Sequence, residues 1–382
     1  MTEYIFLEPI DVFYLRGNKL FGGPGDHGEA LMPPWPSIAA GALRTKILAE
    51  YGGISFEDYR NNVLPEGAAG KALGSPERPG LFRLSFFSVG LKANGAVRPV
   101  FPLPADLVST GQGAELTYMT PTIVNKKLSS GYPLRRLPVL AQVTPRKPDK
   151  GLWLSPEGLK RYLKGKPFEE LSVMAVSDLW ERDPRLGIAL SAKTRSTDKG
   201  RIYTTETIAL KKNVGFLTGL IGDQGLLSSP GVVRFGGDGR GAVMSLCKAV
   251  IPEPDWQEIA RSRRFKLVLT TPGLFPKGWL PPGTQDETLE WSSGSLKAKL
   301  VCASLSPYEV ISGWDLVTRR PKQAMKAVPA ASVYWFEDME GDVEALRELV
   351  SNGLWDEETS RVFPQRRAEG FNNIIAACWP NR

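Results

Sequence analysis

Apolar and polar positions alternate through Tyr4, Phe6, Ile10, Val12 and Tyr14, a period of two that predicts a first β-strand ending at Arg16 and Gly17. From Asn18 to Pro36 the chain is rich in glycine and proline, which predicts an irregular connection. Pro36 and Ser37 then signal a helix start with Ser37 as N-cap, and the helix runs from Ile38 to Tyr51 before Gly52 and Gly53 close it. Helical spacing puts Ser37, Gly41, Arg44 and Leu48 on one face. Arg44 could hold a phosphate there or serve as a buried structural cation. Leu81 to Leu91 predicts a second strand with Phe82, Leu84 and Phe86 on one side, and Pro99 to Pro148, which lacks periodicity, predicts a surface insertion. Ser155, Pro156 and Glu157 open another helix, which carries Leu159, Tyr162 and Leu163.

Gly187 to Leu210 predicts a long hairpin with arms Ile188–Leu190 and Ile202–Leu210. Its tip gathers Lys193, Arg195, Lys199 and Arg201, with Tyr203 nearby, a composition that suits wedging into a nucleic-acid strand. Val214–Ile221 is a further strand. After it, Val232 and Val233 lead through Arg234 and Phe235 into Gly236, Gly237, Gly239 and Gly241, and Ala242 to Leu246 resume an extended pattern. This is strand, glycine loop, strand. Glycines take positive φ cheaply and let a backbone approach another backbone or a phosphate, so the loop is either a hairpin turn or a phosphate cradle flanked by Arg234 and Arg240. Neither the dinucleotide nor the Walker spacing occurs in it.

In the remainder, Phe265–Thr270, Lys297–Leu305, Ala331–Phe336 and Ile374–Trp379 predict strands, and Asp342 caps a helix over Val343–Asn352. The element order suggests an α+β protein of two sandwiches of ferredoxin-like type, divided as residues 1–225 and 226–382, with the glycine loop in the second.

Composition adds a basic balance. The 382 residues carry 48 Lys and Arg against 41 Asp and Glu, a net +7 that suits a polyanionic partner. Between Thr120 and Lys150, Lys126, Lys127, Arg135, Arg136, Arg146, Lys147 and Lys150 face one acid, Asp149. Cys247, Cys302 and Cys378 lie far apart with no C-x-x-C pair, which argues against a disulfide framework or a zinc site. The acidic start MTEYIFLEPIDVFYL is unlike a signal peptide and no apolar run reaches membrane-spanning length, so a soluble cytoplasmic protein is expected. His27, the only histidine, sits in the loop GGPGDHGEA without a visible catalytic partner.

Arg16-Gly17 with PSIAAGALRTKIL, GIAL…GRIYTTETIAL, RFGGDGR, TPGLFPKGWLP and SGWDLVTRRPKQAMKAVPAASVYWFE resemble, in this order, the Cas5-group RAMP subunit of type III-B CRISPR effector complexes, the third subunit of the Cmr series. The resemblance spans nearly the whole chain. It implies two tandem ferredoxin-like (RRM-like, RAMP) domains with insertions and a thumb-like hairpin. It also implies a grip on the repeat-derived 5′ tag of the CRISPR RNA, docking to the large Cas10-type subunit, contact with the backbone and small subunits, and an indirect relation to target RNA. No membrane contact and no cofactor are expected. Where the family has glycines, this chain has Ala331 and Phe371-Asn372-Asn373, which puts a close backbone approach there in question.

The residues expected to meet RNA are Arg16, Lys19, His27, Ser37, Arg44, Arg195, Tyr203, Arg234, Gly236, Gly237, Arg240, Trp314, Arg319, Arg320 and Lys322. The alternative is a metal-independent RAMP endoribonuclease that processes CRISPR RNA, with His27 as general base.

Overall fold

The structure is a computed structural model that describes residues 2–17, 27–111, 113, 115–123, 133–141, 146–169, 171–190, 194, 196–315 and 319–380. The main elements are β1 (Glu3–Pro9), α1 (Pro36–Tyr51), β2 (Arg83–Ala93), β3 (Ala96–Pro102), β4 (Leu152–Leu154), α2 (Pro156–Leu163), β5 (Trp180–Leu190), β6 (Thr197–Leu210), β7 (Val214–Ile221), β8 (Gly231–Arg234) and β9 (Gly241–Leu246). They continue with β10 (Phe265–Leu269), β11 (Glu290–Ser293), β12 (Leu296–Ser304), β13 (Val333–Glu340), α3 (Val343–Asn352) and β14 (Ile374–Ala377). Among the described residues no helix is long and apolar enough to cross a membrane.

Two sheets account for most of the core. The first runs Val173–Ala175, β4, β3, β2, β7, β1, β9, β8, and the second runs β11, β12, β13, β10, β14. Alternation along each strand sorts side chains into layers. In β1, Ile5 and Leu7 point into a core shared with Ala39, Leu43 and Ile47 of α1, whereas Phe6 between them points the other way. In β10, Leu267 faces a core closed by Leu346 of α3, and Val268 faces back toward Phe6, Leu217 and Trp335. The sheets therefore pack face to face with α1 and α3 on their outer faces, while α2 packs its buried face into the core between them.

Each sheet repeats one pattern. Taking its main strands in chain order as first to fourth, each reads second, third, first, fourth: β2-β7-β1-β9 and β12-β13-β10-β14, antiparallel throughout. The first has a helix, α1, between its first two strands; the second has one, α3, between its last two.

Several expectations need correction. The strands around the glycine loop pair with β1, Glu8 opposite Val243, so the loop belongs to the first sheet and not to the second half. The first strand ends at Pro9 instead of Arg16 because the chain there leaves the sheet, its later contacts being bridges from Phe13 to Ile208 and from Arg16 to Ala30. Ser37 is not the N-cap of α1. Pro36, with its fixed φ, takes the first helical position, so Trp35 becomes the cap and bonds Glu309 through its indole N–H at 3.2 Å. A bulge where β2 meets Gly219 and Leu220 moves Phe86 to the face opposite Phe82 and Leu84. The hairpin's first arm begins at Trp180, eight residues before the expected start at Ile188.

The segment expected on the surface is partly interior. It contributes β3, and its Asp106 is fully buried, accepting from Lys266 Nζ at 2.8 Å and from Tyr162 Oη at 2.7 Å. Burial pulls the Lys266 amine below its ordinary value while Asp106 opposes that shift, and burial together with Asp106 pushes the Tyr162 phenol well up. Removing one partner would strand a charge at a cost of about 3–5 kcal/mol, against about 0–1 kcal/mol for an exposed pair. This cluster pins the insertion to the second sheet. Two of the seven bases of the segment are likewise structural, since Arg135 and Arg136 both reach Glu337.

The missing C-terminal glycines also have an answer in the backbone. Ala331 has φ +67° and Asn372 φ +61°, so both hold the left-handed conformation that glycine adopts freely. Asn372 offsets its strain through a side chain that accepts from Leu274 N–H at 2.6 Å and donates to the Leu274 and Leu354 carbonyls.

Candidate nucleic-acid interface

The site forms where the first strand ends. Beyond Pro9, residues 10–17 run between the base of the β5–β6 hairpin and the glycine loop. On one side Phe13 and Ile208 exchange backbone hydrogen bonds at 2.8 Å; on the other, Gly237 N–H donates to the Tyr14 carbonyl at 2.8 Å. The hairpin is braced at its base by Glu206, which accepts from the Ala30 amide at 2.9 Å and pairs with Arg182.

The glycines are explained by this apposition. Gly236 has φ +81°, and a Cβ on it would lie 2.8 Å from the Tyr14 carbonyl oxygen; one on Gly237 would lie 2.9 Å from the Tyr14 ring. Both contacts are closer than carbon side chains tolerate, so the loop is built to let two stretches of this chain meet. The amide of Gly237 is thereby committed to Tyr14 and is not available to a phosphate. Phe235 N–H and the Arg240 carbonyl close the turn at 2.8 Å.

The arginines around the loop are held differently. Arg240 donates to Asp11 at 2.7 Å and lies 3.9 Å from Asp238, so its charge is largely answered within the chain. Arg16 is exposed and donates to Tyr14 Oη through Nε and Nη2 at 3.0 and 2.7 Å, which fixes its direction. Arg234 is exposed and has no carboxylate partner among the described residues. Tyr14 is thus the residue that organises the site, though its place in the sequence reads only as one position of the first strand. Its signal was the two-residue spacing that puts Tyr14 and Arg16 on one side of an extended segment.

The other expected residues divide into groups. His27 and Gly28 pair through their backbone with Thr204 and Thr205 of β6, which brings the His27 position beside that of Tyr203. Lys19 and Arg195 lie outside the described residues. Ser37 is half-buried at the start of α1, and Arg44 turns inward to the Leu73 carbonyl at 3.1 Å and the Tyr59 hydroxyl at 3.4 Å, the structural alternative.

Trp314, Arg319 and Arg320 lie on a separate small hairpin, Trp314–Asp315 with Arg320–Pro321, continuing from the paired strands Glu309–Ile311 and Met325–Ala327. Trp314 is 57% exposed and both arginines are exposed. Lys322 instead pairs with Glu369 at 2.5 Å, beside Arg366 at 2.9 Å from the same carboxylate. The Trp35–Glu309 bond joins this unit to the start of α1, and burial raises the Glu309 carboxyl pKa while that bond opposes the rise. Among the described residues no group of three His, Cys, Asp or Glu could hold a metal ion.

A family model described as CRISPR-associated protein (Cas_Cmr3) matches residues 5–379. The chain belongs to this family. Among solved structures, it is similar to a chain of the type III-B Cmr-beta complex bound to cognate target RNA and AMPPnP, at 15% identity, a TM-score of 0.52, and coverage of 97% of this chain and 96% of that one. A cryo-EM structure of Cmr-beta bound to cognate target RNA gives the same values. At this identity the likeness is one of fold, a mixed α/β architecture with antiparallel sheets. Comparison with curated protein sequences gives no match.

Proposed function

We propose that the protein is a non-catalytic, RNA-binding subunit of a type III-B CRISPR effector complex that grips the 5′ tag of the CRISPR RNA. The observation that carries this reading is the segment from Ile10 to Gly17, held between a long hairpin and a glycine loop so that Arg16 and Arg234 are both presented on the exposed side of one frame. Cations fixed on a rigid frame meet phosphates, while aromatic faces take unstacked bases. The glycines act by shaping the frame; Arg16, Arg234, Arg319 and Arg320 supply the charge, and Trp314 a stacking surface.

Each half is ferredoxin-like, with the strand order of that fold and one of its two helices, and the β5–β6 hairpin is the thumb. Membership of the family and its likeness to chains of RNA-bound Cmr-beta complexes support partnership with a large Cas10-type subunit and with backbone and small subunits, in the cytoplasm. Target RNA is met indirectly, through the guide.

Reconstitution of the effector with a photo-crosslinkable tag RNA tests the reading. Crosslinks should map to the peptides around Arg16, Arg234 and Trp314, and their absence from all three would reject the site. The isolated protein should leave a repeat RNA uncut in EDTA; cleavage would establish the endoribonuclease instead.

A further inference from the structure

A second cationic surface lies at the opposite edge of the first sheet. Gly165, with φ +64°, follows α2, and a Cβ on it would fall 2.4 Å from the Trp379 carbonyl oxygen, so Lys164 and Lys166 emerge directly beside Trp379. The Trp379 indole is fixed by its N–H donating to the Phe265 carbonyl at 3.0 Å, and the Arg264 guanidinium sits 5.2 Å from its ring centre. A hollow of about 210 Å³ opens between Lys160, Arg161, Lys164, Lys166 and Glu157.

The nearby acids are already engaged. Glu157 faces Lys160 and Arg161, Glu169 pairs with Arg161, and Glu337 holds Arg135 and Arg136. Among the described residues this leaves Lys164, Lys166 and Arg264 with no carboxylate. Complementing the α2 dipole accounts for Lys160 and Arg161 in its last turn, but Lys166 and Arg264 lie outside the helix. Three unanswered cations around one fixed indole call for a polyanion.

Position says which stretch of polyanion. Helix α2 packs on β3 and β4, and six strand spacings separate β4 from β8 at the glycine loop. At ~4.8 Å each this is about 29 Å, which makes the two cation clusters separate sites on the surface. We propose that the Lys164–Lys166–Arg264 surface binds the phosphodiester backbone of single-stranded RNA as a second site, without regard to sequence. The choice of RNA as the polyanion rests on the function proposed above.

The test uses the full chain and fluorescein-labelled oligouridine of about 4 and about 30 nucleotides, the shorter able to occupy one edge only. Binding is measured over a salt series for the wild type, for K164Q/K166Q/R264Q and for R16A/R234A, each checked by thermal melting. Wild type should bind the longer RNA more tightly than the shorter. The triple variant should lose that advantage, by about tenfold or more, with a log K against log salt slope shallower by about 2, three contacts at about 0.7 each. A folded triple variant that binds the longer RNA like wild type would overturn the second site and leave the first standing. Loss of length dependence in the triple variant, with R16A/R234A indistinguishable from wild type on both RNAs, would uphold the second site and reject the first. A wild type with no affinity for either RNA rejects both.

Discussion

Two arginine-bearing hairpins of this protein look alike in sequence and differ in what they leave available. The glycine hairpin, β8–β9, is stitched into the first sheet and its turn lies on Tyr14, so Gly237 donates its amide inward and Arg240 is answered by Asp11. The Trp314–Pro321 hairpin is anchored from below, through Lys322 and Glu369, while Trp314, Arg319 and Arg320 stay exposed. Residue type alone names both as nucleic-acid contacts; position makes one mainly a frame and the other mainly a surface. Substitutions of the first hairpin's glycines should therefore be read in stability, and those in the second hairpin in affinity.

The largest effect should come from Gly236→Val. A β-branched residue at φ +81° with its Cβ 2.8 Å from the Tyr14 carbonyl combines backbone strain with a clash against rigid backbone, and a loss of about 2–4 kcal/mol in denaturant unfolding is expected. A fully stable Gly236→Val would break the comparison at once. Next, Trp314→Ala should weaken RNA binding by about 1–3 kcal/mol if a base stacks there, with unfolding free energy changed by less than about 0.5 kcal/mol. Arg319→Ala with Arg320→Ala should lower affinity for all RNA sequences alike and reduce the salt slope by about 1.4, two phosphate contacts at about 0.7 each. Arg240→Ala should be the smallest. It removes an exposed pair worth about 0.2–1 kcal/mol, and its salt slope should change by less than about 0.7 because Asp11 already offsets the charge. A full one-contact change for Arg240 would show that Asp11 yields to RNA and would narrow the difference between the hairpins.

What could be read from the sequence follows the reach of the forces involved. Local rules worked where local chemistry decides: Asp342 caps α3 by accepting from Glu344 N–H, and Ser155 caps α2 by accepting from Gly158 N–H. The strand expected at Val214–Ile221 forms as β7, and each of its faces meets a different core. What failed was decided at long range. Nothing near Gly236 in the chain announces that Tyr14, more than two hundred residues earlier, supplies its neighbour, or that β8 and β9 complete the first sheet. Asp106 sits in an aperiodic, proline-rich stretch, and only the folded chain shows it closing on Lys266. The left-handed backbone at Ala331 is hidden in the same way, because a residue with a Cβ gives no sign of positive φ.

The central claim is that Arg16 and Arg234, presented beside the glycine loop, carry the grip on the tag. A salt titration of labelled tag RNA against the reconstituted complex, with wild-type protein and with R16A/R234A, tests it most directly. The account expects affinity to fall for tag and scrambled sequences alike, the log K against log salt slope to become shallower by about 1.4, and the melting temperature of the subunit to stay unchanged. Equal affinity and equal slope for a folded double variant would contradict it.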